Sequence, residues 1–396
     1  MASISSQSTH SSLAELAIIF LRLGLTAFGG PAAHIAMMRT EFVEKRHWLT
    51  DSEFLDLVGA SNMIPGPGST EVAIYIGARR CGWMGLVLAG LCFILPAALL
   101  VSAIAYGYVR YGHLPHVQAA FYGVKPVIAA VVASAAWALG RTAWRASDAR
   151  ATGVLGVALS FLSINNLIIL FGGGFAVVTH RVLRREVAVS PTHFGALAGV
   201  ALALIGVPLA LAGVGTLAAG PSPPALFATF LKIGSVLYGN GYVLLSFLQT
   251  NLVERLHWLT LSQVVDAVAV GQFTPGPVFT TATFIGFILA GPAGAFAATV
   301  GIFLPAFLLV AVSGPLIPKL RSEPVAAAFL DGVNAASVAL LVCVSWSLAR
   351  AAIIDLPTTL LAGIAIILII RYHINSAWIM LLGALYGWVA FPMGRF

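Results

Sequence analysis

The sequence HWLTDSEFLDLVGASNMIPGPGST at residues 47–70 returns as HWLTLSQVVDAVAVGQFTPGPVFT at residues 257–280. Counted from Phe20 and from Phe230, 18 of 51 positions are identical at a constant offset of 210. After a slip of one residue the repeat continues through further matched pairs, among them Gly77 and Gly286, Pro96 and Pro305, and Trp137 and Trp346. The chain therefore consists of two homologous halves.

The composition indicates an integral membrane protein. Apolar residues make up 59% of the chain and charged residues 9%, and the mean hydropathy is +0.97. A soluble domain has about a quarter of charged residues, so this much apolar surface requires lipid around it. The net charge of +7 fits the basic loops of a polytopic protein and does not require nucleic acid. Three isolated cysteines predict neither a disulfide framework nor a metal centre.

Each copy of the repeated stretch predicts a helix that breaks inside the membrane. Thr50 with Glu53, and Thr260 with Gln263, form capping boxes that begin a helix. The Pro-Gly-Pro motif that follows removes an amide donor and ends this helix, and its last proline is suited to opening the next one. Each helical piece spans about half a bilayer.

A helix that begins at such a break is an anion-binding arrangement, because free amides and the positive end of its dipole lie there. Two breaks, one from each half, predict one site between the halves. The alternative is that the breaks are proline kinks that serve only helix packing. Polar neighbours favour a site, and its predicted substrate-binding residues are Asn62, Pro65, Gly66, Pro67, Gly68, Ser69, Thr70, Gln272, Thr274, Pro275, Gly276, Pro277 and Thr280.

A cation lies inside the first predicted span of each half. Residues 13–38 and 225–248 are apolar enough for full spans, and they carry Arg22 and Lys232 at matched positions. A charge within a span is costly and by default functional, so both residues are assigned to the anion site. The alternative is that these long side chains reach back to an interface. Further residues near the end of each span predict a break with a gating role (Gly29, Gly30, Gly239, Gly241) and an added amide at the site (Asn240).

Glu71 follows the first Pro-Gly-Pro motif, and Thr281 stands at the matched position of the second half. Three interpretations are open: a coupling carboxylate that carries a proton, the ion-pair partner of Arg22, or a surface position. His34 occurs in the first half only, and a structural role is favoured for it. The sequence contains no combination of residues typical of an enzyme.

Charges in matched loops predict that the two halves are inverted in the membrane. Residues 39–50 and 141–150 carry more Lys and Arg than their counterparts at 249–260 and 350–356, and the bias reverses at 318–323. Cytoplasmic loops carry an excess of Lys and Arg. The loops at 39–50, 141–150 and 318–323 are therefore expected in the cytoplasm. The loops at 249–260 and 350–356 are expected outside.

The predicted fold is an all-α polytopic membrane protein. Residues 13–185 and 225–391 form the two repeats, and residues 186–224 form a linker with an extra transmembrane span near 194–217. Two apolar stretches with polar interruptions each predict a short hairpin or a kinked span, at residues 151–178 and 360–389. Two homologous halves in so hydrophobic a chain are typical of a secondary transporter with its substrate site between the halves.

Five motifs occur together in this chain: FGGPAAHI (residues 28–35), NMIPGPG (62–68), GARRCGW (77–83), YGNGY (238–242) and QFTPGP (272–277). In this combination the chain resembles the chromate ion transporter family, the ChrA-type permeases, in their long two-domain form. The resemblance extends from residue 13 to residue 391.

The resemblance implies a multi-pass protein of the bacterial inner membrane that exports chromate and confers resistance to it. The expected function is secondary transport of a tetrahedral oxyanion, with Arg22 and Lys232 offsetting the charge of a dianion. The alternatives are a sulfate or other oxyanion permease and, from another class, a membrane-embedded enzyme or lipid-handling protein that would use His34 with Glu71. The expected partners are the oxyanion and the lipid bilayer. A homodimer is considered as the assembly, and no cofactor, metal or nucleic acid is expected.

Overall fold

Helices joined by short turns make up the computed structural model, which describes residues 12–28, 30–162, 164–185, 220–238, 241–313 and 324–390. No strand occurs among these residues, in agreement with the predicted all-α class. The first half contains α1 (Leu13–Thr26), α2 (Gly30–Arg39), α3 (Asp51–Ser61), α4 (Gly68–Tyr111), α5 (Pro115–Ala143), α6 (Ser147–Phe161) and α7 (Asn166–Leu183). The second half contains α8 (Pro223–Val236), α9 (Leu244–Leu248), α10 (Leu261–Phe273), α11 (Thr281–Ser313), α12 (Pro324–Ala352), α13 (Leu356–Tyr372) and α14 (Ser376–Ala390).

Five of the described helical segments are long and apolar enough to cross a membrane: residues 68–111, 115–143, 166–183, 278–312 and 324–352. Their exposed faces carry large apolar side chains, as at Leu91, Leu95 and Leu99 of α4. Residues four apart lie on one side of a helix, so these leucines form a continuous apolar face. Such a face is stable only against lipid, and the chain is a polytopic membrane protein.

α1 and α2 form a hairpin that enters and leaves at the same end of the molecule. The prediction of one continuous span over residues 13–38 is therefore wrong. Gly30 begins α2 at a φ of +78°, and Pro31 after it cannot continue the hydrogen-bond ladder of α1. The chain that returns after α2 is tied to the start of α1, because Nη1 of Arg46 lies 2.5 Å from Oε1 of Glu15.

α3 and the first part of α4 form a second hairpin around the Pro-Gly-Pro motif. The hydroxyl of Thr50 accepts from the amide of Glu53, and the Glu53 carboxylate accepts from the amide of Thr50, as the capping box predicts. α4 begins at Gly68, directly after Pro67. The guanidinium of Arg79 pairs with the carboxylate of Glu53, so the chain returns to the end from which α3 started. The predicted helix–break–helix is confirmed.

α4 reverses its direction once and then crosses the membrane. Cys81 and Gly82 leave helical geometry, and Gly82 has a φ of +58°. The two arms of this bend pack so closely that a Cβ on Gly77 would collide with the carbonyl of Gly85. Residues 83–111 then continue as a helix of about 40 Å, which is long enough to cross a bilayer.

Contacts at the two ends of residues 83–111 establish that the halves are inverted. The start of α3 lies at the beginning of this helix, because Arg79 pairs with Glu53. The start of α10 lies near its other end, because Oη of Tyr108 donates to Oδ2 of Asp266 at 2.8 Å. The two capped half-helices enter from opposite sides, as predicted. We name these sides the first face (residues 46–53 and 143–148) and the second face (residues 111–115 and 255–262).

The second half repeats the local structure of the first. Its capping box begins α10, and α11 bends at Gly291 as α4 bends at the matched glycine. A wide π-helical turn precedes each of the matched residues His47 and His257, which both have φ values near +50°. Since α8 ends at Val236, the continuous span predicted for residues 225–248 is also wrong.

The two interrupted apolar stretches are hairpins. Nε of Arg181 at the end of α7 lies 2.8 Å from Oδ2 of Asp148 at the start of α6, so both ends of this hairpin lie at the first face. The α13–α14 hairpin is held against the start of α5, at the second face, by hydrogen bonds from Tyr122 to Asp355 at 2.6 Å and from Trp388 to His116 at 3.2 Å.

The predicted extra span near residues 194–217 lies outside the described residues, as does the loop at 318–323. The division into repeats at 13–185 and 225–391, with a linker between them, stays a prediction.

Candidate functional site

The two Pro-Gly-Pro breaks cross the ends of opposing hairpins at the interface of the two halves. The amide of Gly66 donates to the carbonyl of Leu237 at 2.8 Å, and the amide of Gly276 donates to the carbonyl of Ala27 at 2.9 Å. Ala27 and Leu237 are matched residues that end α1 and α8. Each half therefore holds the other by the same hydrogen bond. The φ values of the two glycines, +145° and +90°, explain why both motifs contain glycine at this position.

A cavity of about 520 Å³ leads from the first face to this crossing. Its inner end is lined by both breaks, through residues 66–69 of the first and residues 277–279 of the second. Side chains of α5 and α12 form its walls, and the turn between α5 and α6 forms its outer end. The breaks predicted from the sequence thus contribute to a single cavity.

The inner end of the cavity presents the starts of two helical segments. Gly68 and Ser69 are the first residues of α4, and Val278 and Phe279 begin the 3-10 turn that leads into α11. The first turn of a helix leaves amides without intrahelical partners, and its dipole places partial positive charge at that end. The arrangement suits an anion, because both halves supply N–H donors to the same space.

His34 supports this inner end from behind. In the neutral ring Nε2 donates to the carbonyl of Ala27 at 3.0 Å, since a carbonyl can only accept, and Nδ1 accepts from the hydroxyl of Ser69 at 3.2 Å. The same carbonyl accepts the amide of Gly276. These contacts agree with a structural role for His34. It does not pair with Glu71, the partner that the enzyme alternative required.

Glu71 lies directly behind the first break. It is fully buried, and a Cβ on Gly66 would collide with its Oε1. Among the described residues neither carboxylate oxygen has a hydrogen-bond partner. The surface position is therefore wrong, and the ion pair with Arg22 is also wrong because Arg22 pairs with Glu41. The buried phenol of Tyr238 lies within electrostatic range of this carboxylate.

Charged residues surround the outer end of the cavity. Nε of Arg181 lies 2.8 Å from Asp148, and its Nη1 lies 2.9 Å from Asp331. Burial raises the pKa of Asp148, but its hydrogen bonds and the charge of Arg181 outweigh this effect and leave the pKa below its usual range. Arg145 also lines the cavity, is exposed, and forms no ion pair with any residue that the structure describes. Arg145 is therefore the cation that an entering anion can meet.

Arg22 and Lys232 lie away from the cavity, contrary to the prediction. The side chain of Arg22 is 54% exposed, and its Nη2 lies 2.6 Å from Oε2 of Glu41. Lys232 is half-buried and lies within electrostatic range of Arg255. The prediction failed because α1 and α8 are arms of hairpins, so a cation in the middle of either helix does not face the centre of the molecule.

The other predicted residues divide by location. Those that line the cavity are Asn62, Gly66, Pro67, Gly68, Ser69, Gly241 and Pro277. Those buried beside it are Pro65, Thr70, Gln272, Thr274, Pro275, Gly276 and Thr280. The hydroxyls of Thr274 and Thr280 donate to backbone carbonyls of their own turns, at 2.9 Å and 2.8 Å. Gly29, Gly239 and Asn240 lie outside the described residues.

The polar residues of the cavity wall that the sequence did not assign to the site include Arg145, Asn334 and Ser337. Arg145 lies in a basic loop whose charge was interpreted only as a sign of membrane orientation. Asn334 and Ser337 are three residues apart in the apolar helix α12, so they share one face of it. That spacing of polar residues is the signal that could have identified them.

The sequence matches the Chromate transporter family twice, at residues 14–178 and 224–388. It is 32% identical to a chromate transport protein of Cupriavidus metallidurans over 96% of this chain and 94% of the relative. Identity is 32% to a probable chromate transport protein of Synechococcus elongatus, over 90% of this chain and 89% of the relative. The identity to a chromate transport protein of Pseudomonas aeruginosa is 30%, over 94% of this chain and 91% of the relative. No solved structure gave a significant match.

The family domain occurs once in each half, and both copies are needed to form the crossing at the inner end of the cavity. The chain belongs to the chromate transporter family.

Proposed function

We propose that this protein transports a tetrahedral oxyanion, chromate, through the cavity between its halves. The observation that carries the proposal is the meeting of two helix starts, at Gly68 and Val278, at the inner end of one cavity. Such N-termini bind oxyanion groups through free amides and the helix dipole. The names of the matching relatives, which are chromate transport proteins, support the choice of substrate.

The distribution of charge suits transport of a dianion rather than its storage. Arg145 offers a full positive charge at the outer end of the cavity, where it raises the local concentration of the anion. The charge of Arg181 is already offset by Asp148 and Asp331. Deeper in, the donors are amides with partial charges. An anion held by partial charges is released more readily than one held by a buried, fixed cation.

Glu71 is proposed to link the anion to a proton. A negative charge on this carboxylate, one turn into α4, opposes a dianion at the start of the same helix. Binding of the anion and protonation of Glu71 therefore favour each other, and this linkage is reciprocal. The proton carried by Glu71 should therefore cross the membrane together with the anion rather than in exchange for it.

The first face is proposed to be cytoplasmic. It carries most of the basic residues at the described helix ends and turns, including Arg39, Lys45, Arg46, Arg141, Arg145 and Arg150, and the cytoplasmic ends of membrane segments are rich in such residues. The cavity would then take up chromate from the cytoplasm of a bacterium for export across the inner membrane, which would give resistance. A membrane potential that is negative inside favours outward movement of a dianion.

Chromate flux into everted membrane vesicles tests the proposal. We expect chromate uptake well above that of vesicles without the protein, increased by an interior-positive potential and inhibited by sulfate. Sulfate uptake that chromate does not inhibit would assign the protein as a sulfate permease instead. Absence of flux for both anions, with the protein present in the membrane, would refute oxyanion transport.

A further inference from the structure

On the second face, a largely buried ion pair ties the start of α10 to α5. Nζ of Lys125 lies 3.2 Å from Oδ1 of Asp266 and donates to Oγ of Ser262 at 2.7 Å. Oδ2 of Asp266 accepts from Oη of Tyr108 at 2.8 Å. The side chain of Asp266 is 7% exposed and that of Lys125 is 24% exposed. These contacts join the second capped half-helix to both long helices of the first half.

The matched positions on the first face line the open cavity instead. At the offset of the repeat, Asn334 takes the place of Lys125, and Ser337 takes the place of Ile128. Asn334 and Ser337 line the cavity, where Asn334 is half-buried and the hydroxyl of Ser337 donates to the carbonyl of Tyr238, whereas Ile128 is fully buried. Among the described helices α10 packs against α5, but α3 has no comparable packing against α12. The matched helix pairs are thus separated on the first face (α3 and α12) and packed together on the second face (α10 and α5).

We propose that Lys125, Asp266 and Tyr108 form the closed gate on the second face of an alternating-access cycle. This inference rests on the proposed transport function. In an inverted repeat each half can adopt the arrangement of the other, which exchanges the open face for the closed one. When the gate opens, α10 moves away from α5 and the second break is reached from the second face. At the same time α3 closes against α12 over the present cavity.

The three side chains have the chemistry that a gate needs. A buried carboxylate with a cation and a hydroxyl as partners fixes two helices against each other, and removing one partner leaves the other charge uncompensated. Lys125 is partly exposed, so water can solvate its ammonium group as the pair separates. None of the three residues lines the cavity, so changing them acts on the gate without removing a contact to the anion.

Thiol labelling reads the gate without a transported anion. The background chain has Cys81, Cys92 and Cys343 replaced by serine, and single cysteines Asn334→Cys and Ile128→Cys report on the two faces. With the gate intact, an impermeant thiol reagent should label the cysteine at position 334 from the first face and leave the cysteine at position 128 protected.

Asp266→Asn removes the charge that holds Lys125. Labelling at position 128 from the second face should rise about tenfold, which corresponds to a shift of about 1.4 kcal/mol between the two states. Labelling at position 334 should fall. Ser262→Ala removes a single hydrogen bond to Lys125 and should give smaller changes of the same sign. Asp56→Asn, at the matched position of α3, is the control and should not expose position 128.

Unchanged labelling at position 128 in both Asp266→Asn and Ser262→Ala would overturn the gate. If Asp266→Asn does not fold, as judged by its size-exclusion profile, Ser262→Ala decides alone. The gate and the proposed function fail separately. Increased labelling at position 128 in a protein that moves no chromate supports the gate and rejects the substrate, whereas normal chromate flux with unchanged labelling rejects the gate alone.

Discussion

The two Pro-Gly-Pro breaks share one backbone arrangement and differ in the side chains around it. Both glycines donate a hydrogen bond to the opposite half. Behind the first break lies Glu71, whose carboxylate has no partner in the described structure, and behind the second lies Thr281, whose hydroxyl donates to the carbonyl of Val278 at 2.8 Å. The duplication thus supplies a symmetric framework, and the ionisable group near the anion site comes from one half only.

The largest effect is expected where the two breaks are alike. Gly66→Ala and Gly276→Ala should each reduce chromate flux to the background of vesicles without the protein. Both positions have positive φ values that cost about 1–3 kcal/mol for other residues, and the new Cβ at Gly276 would lie 2.7 Å from Cβ of Ala97. Flux into everted vesicles, normalised to the amount of protein in the membrane, measures the loss.

Gly363→Ala is the matched control for these substitutions. An added Cβ at Gly363 meets no atom within 4 Å, and the residue lies in the regular helix α13. Its flux should equal that of the unchanged protein. Near-normal flux in Gly276→Ala would mean that the second break is a packing kink rather than part of the site.

The next prediction concerns the side chain in which the breaks differ. Glu71→Gln mimics the protonated carboxyl, so it should keep exchange of chromate across the vesicle membrane but abolish the response of net flux to a pH gradient. Exchange of labelled for unlabelled chromate, with and without an imposed pH gradient, measures both properties. Glu44→Gln, at an exposed carboxylate of the first face, should retain the response. A pH response that survives in Glu71→Gln would remove Glu71 from coupling.

A third prediction separates the cation at the cavity from the cation in α1. Arg145→Gln should raise the KM for chromate about tenfold at low ionic strength, because a charge at the outer end of the cavity concentrates the anion. Added salt should reduce the difference from the unchanged protein. Arg22→Gln should have little effect on KM, since Arg22 pairs with Glu41 outside the cavity. The reverse order of the two effects would restore the role that the sequence suggested for Arg22.

The smallest effect is expected at the two capping boxes. Thr50→Ala and Thr260→Ala should each lower the free energy of unfolding by about 1 kcal/mol, which is typical of a lost N-cap. The thermal unfolding midpoint in detergent should fall by the same small amount in both. A much larger fall of the midpoint in one of the two variants would indicate that its half-helix also stabilises the gate or the cavity.

Features set by neighbouring residues were predictable from the sequence. The capping boxes at Thr50 and Thr260 and the breaks at the Pro-Gly-Pro motifs depend on hydrogen bonds and steric effects within a few residues, and the structure contains all of them. The inversion was also predictable, because loop charges report it without knowledge of packing.

Features set by distant contacts were not predictable. The glycines at residues 29 and 30 predicted a break near the end of the first span, but the return of the chain to the start of α1 is shown by the pair Glu15–Arg46, whose partners lie 31 residues apart, and the apolar stretch gave no sign of that. The prediction of a continuous span also led to the assignment of Arg22 to the substrate, because a cation inside such a span would face the protein interior. In the hairpin, Arg22 instead reaches Glu41. Arg145 was missed since its place at the cavity depends on how α5 packs on α12.

Protection of two cysteines by a tetrahedral dianion tests most directly that both breaks form one anion site. Gly68→Cys reports on the first break, where an added Cβ comes no closer than 3.9 Å to its nearest neighbour, Oγ of Ser61, and Val278→Cys reports on the second. Sulfate or molybdate serves as the probe, because chromate oxidises thiols. The account predicts that the dianion slows labelling of both cysteines with the same half-maximal concentration. Protection of only one cysteine, or of neither in a protein that still transports chromate, would contradict it.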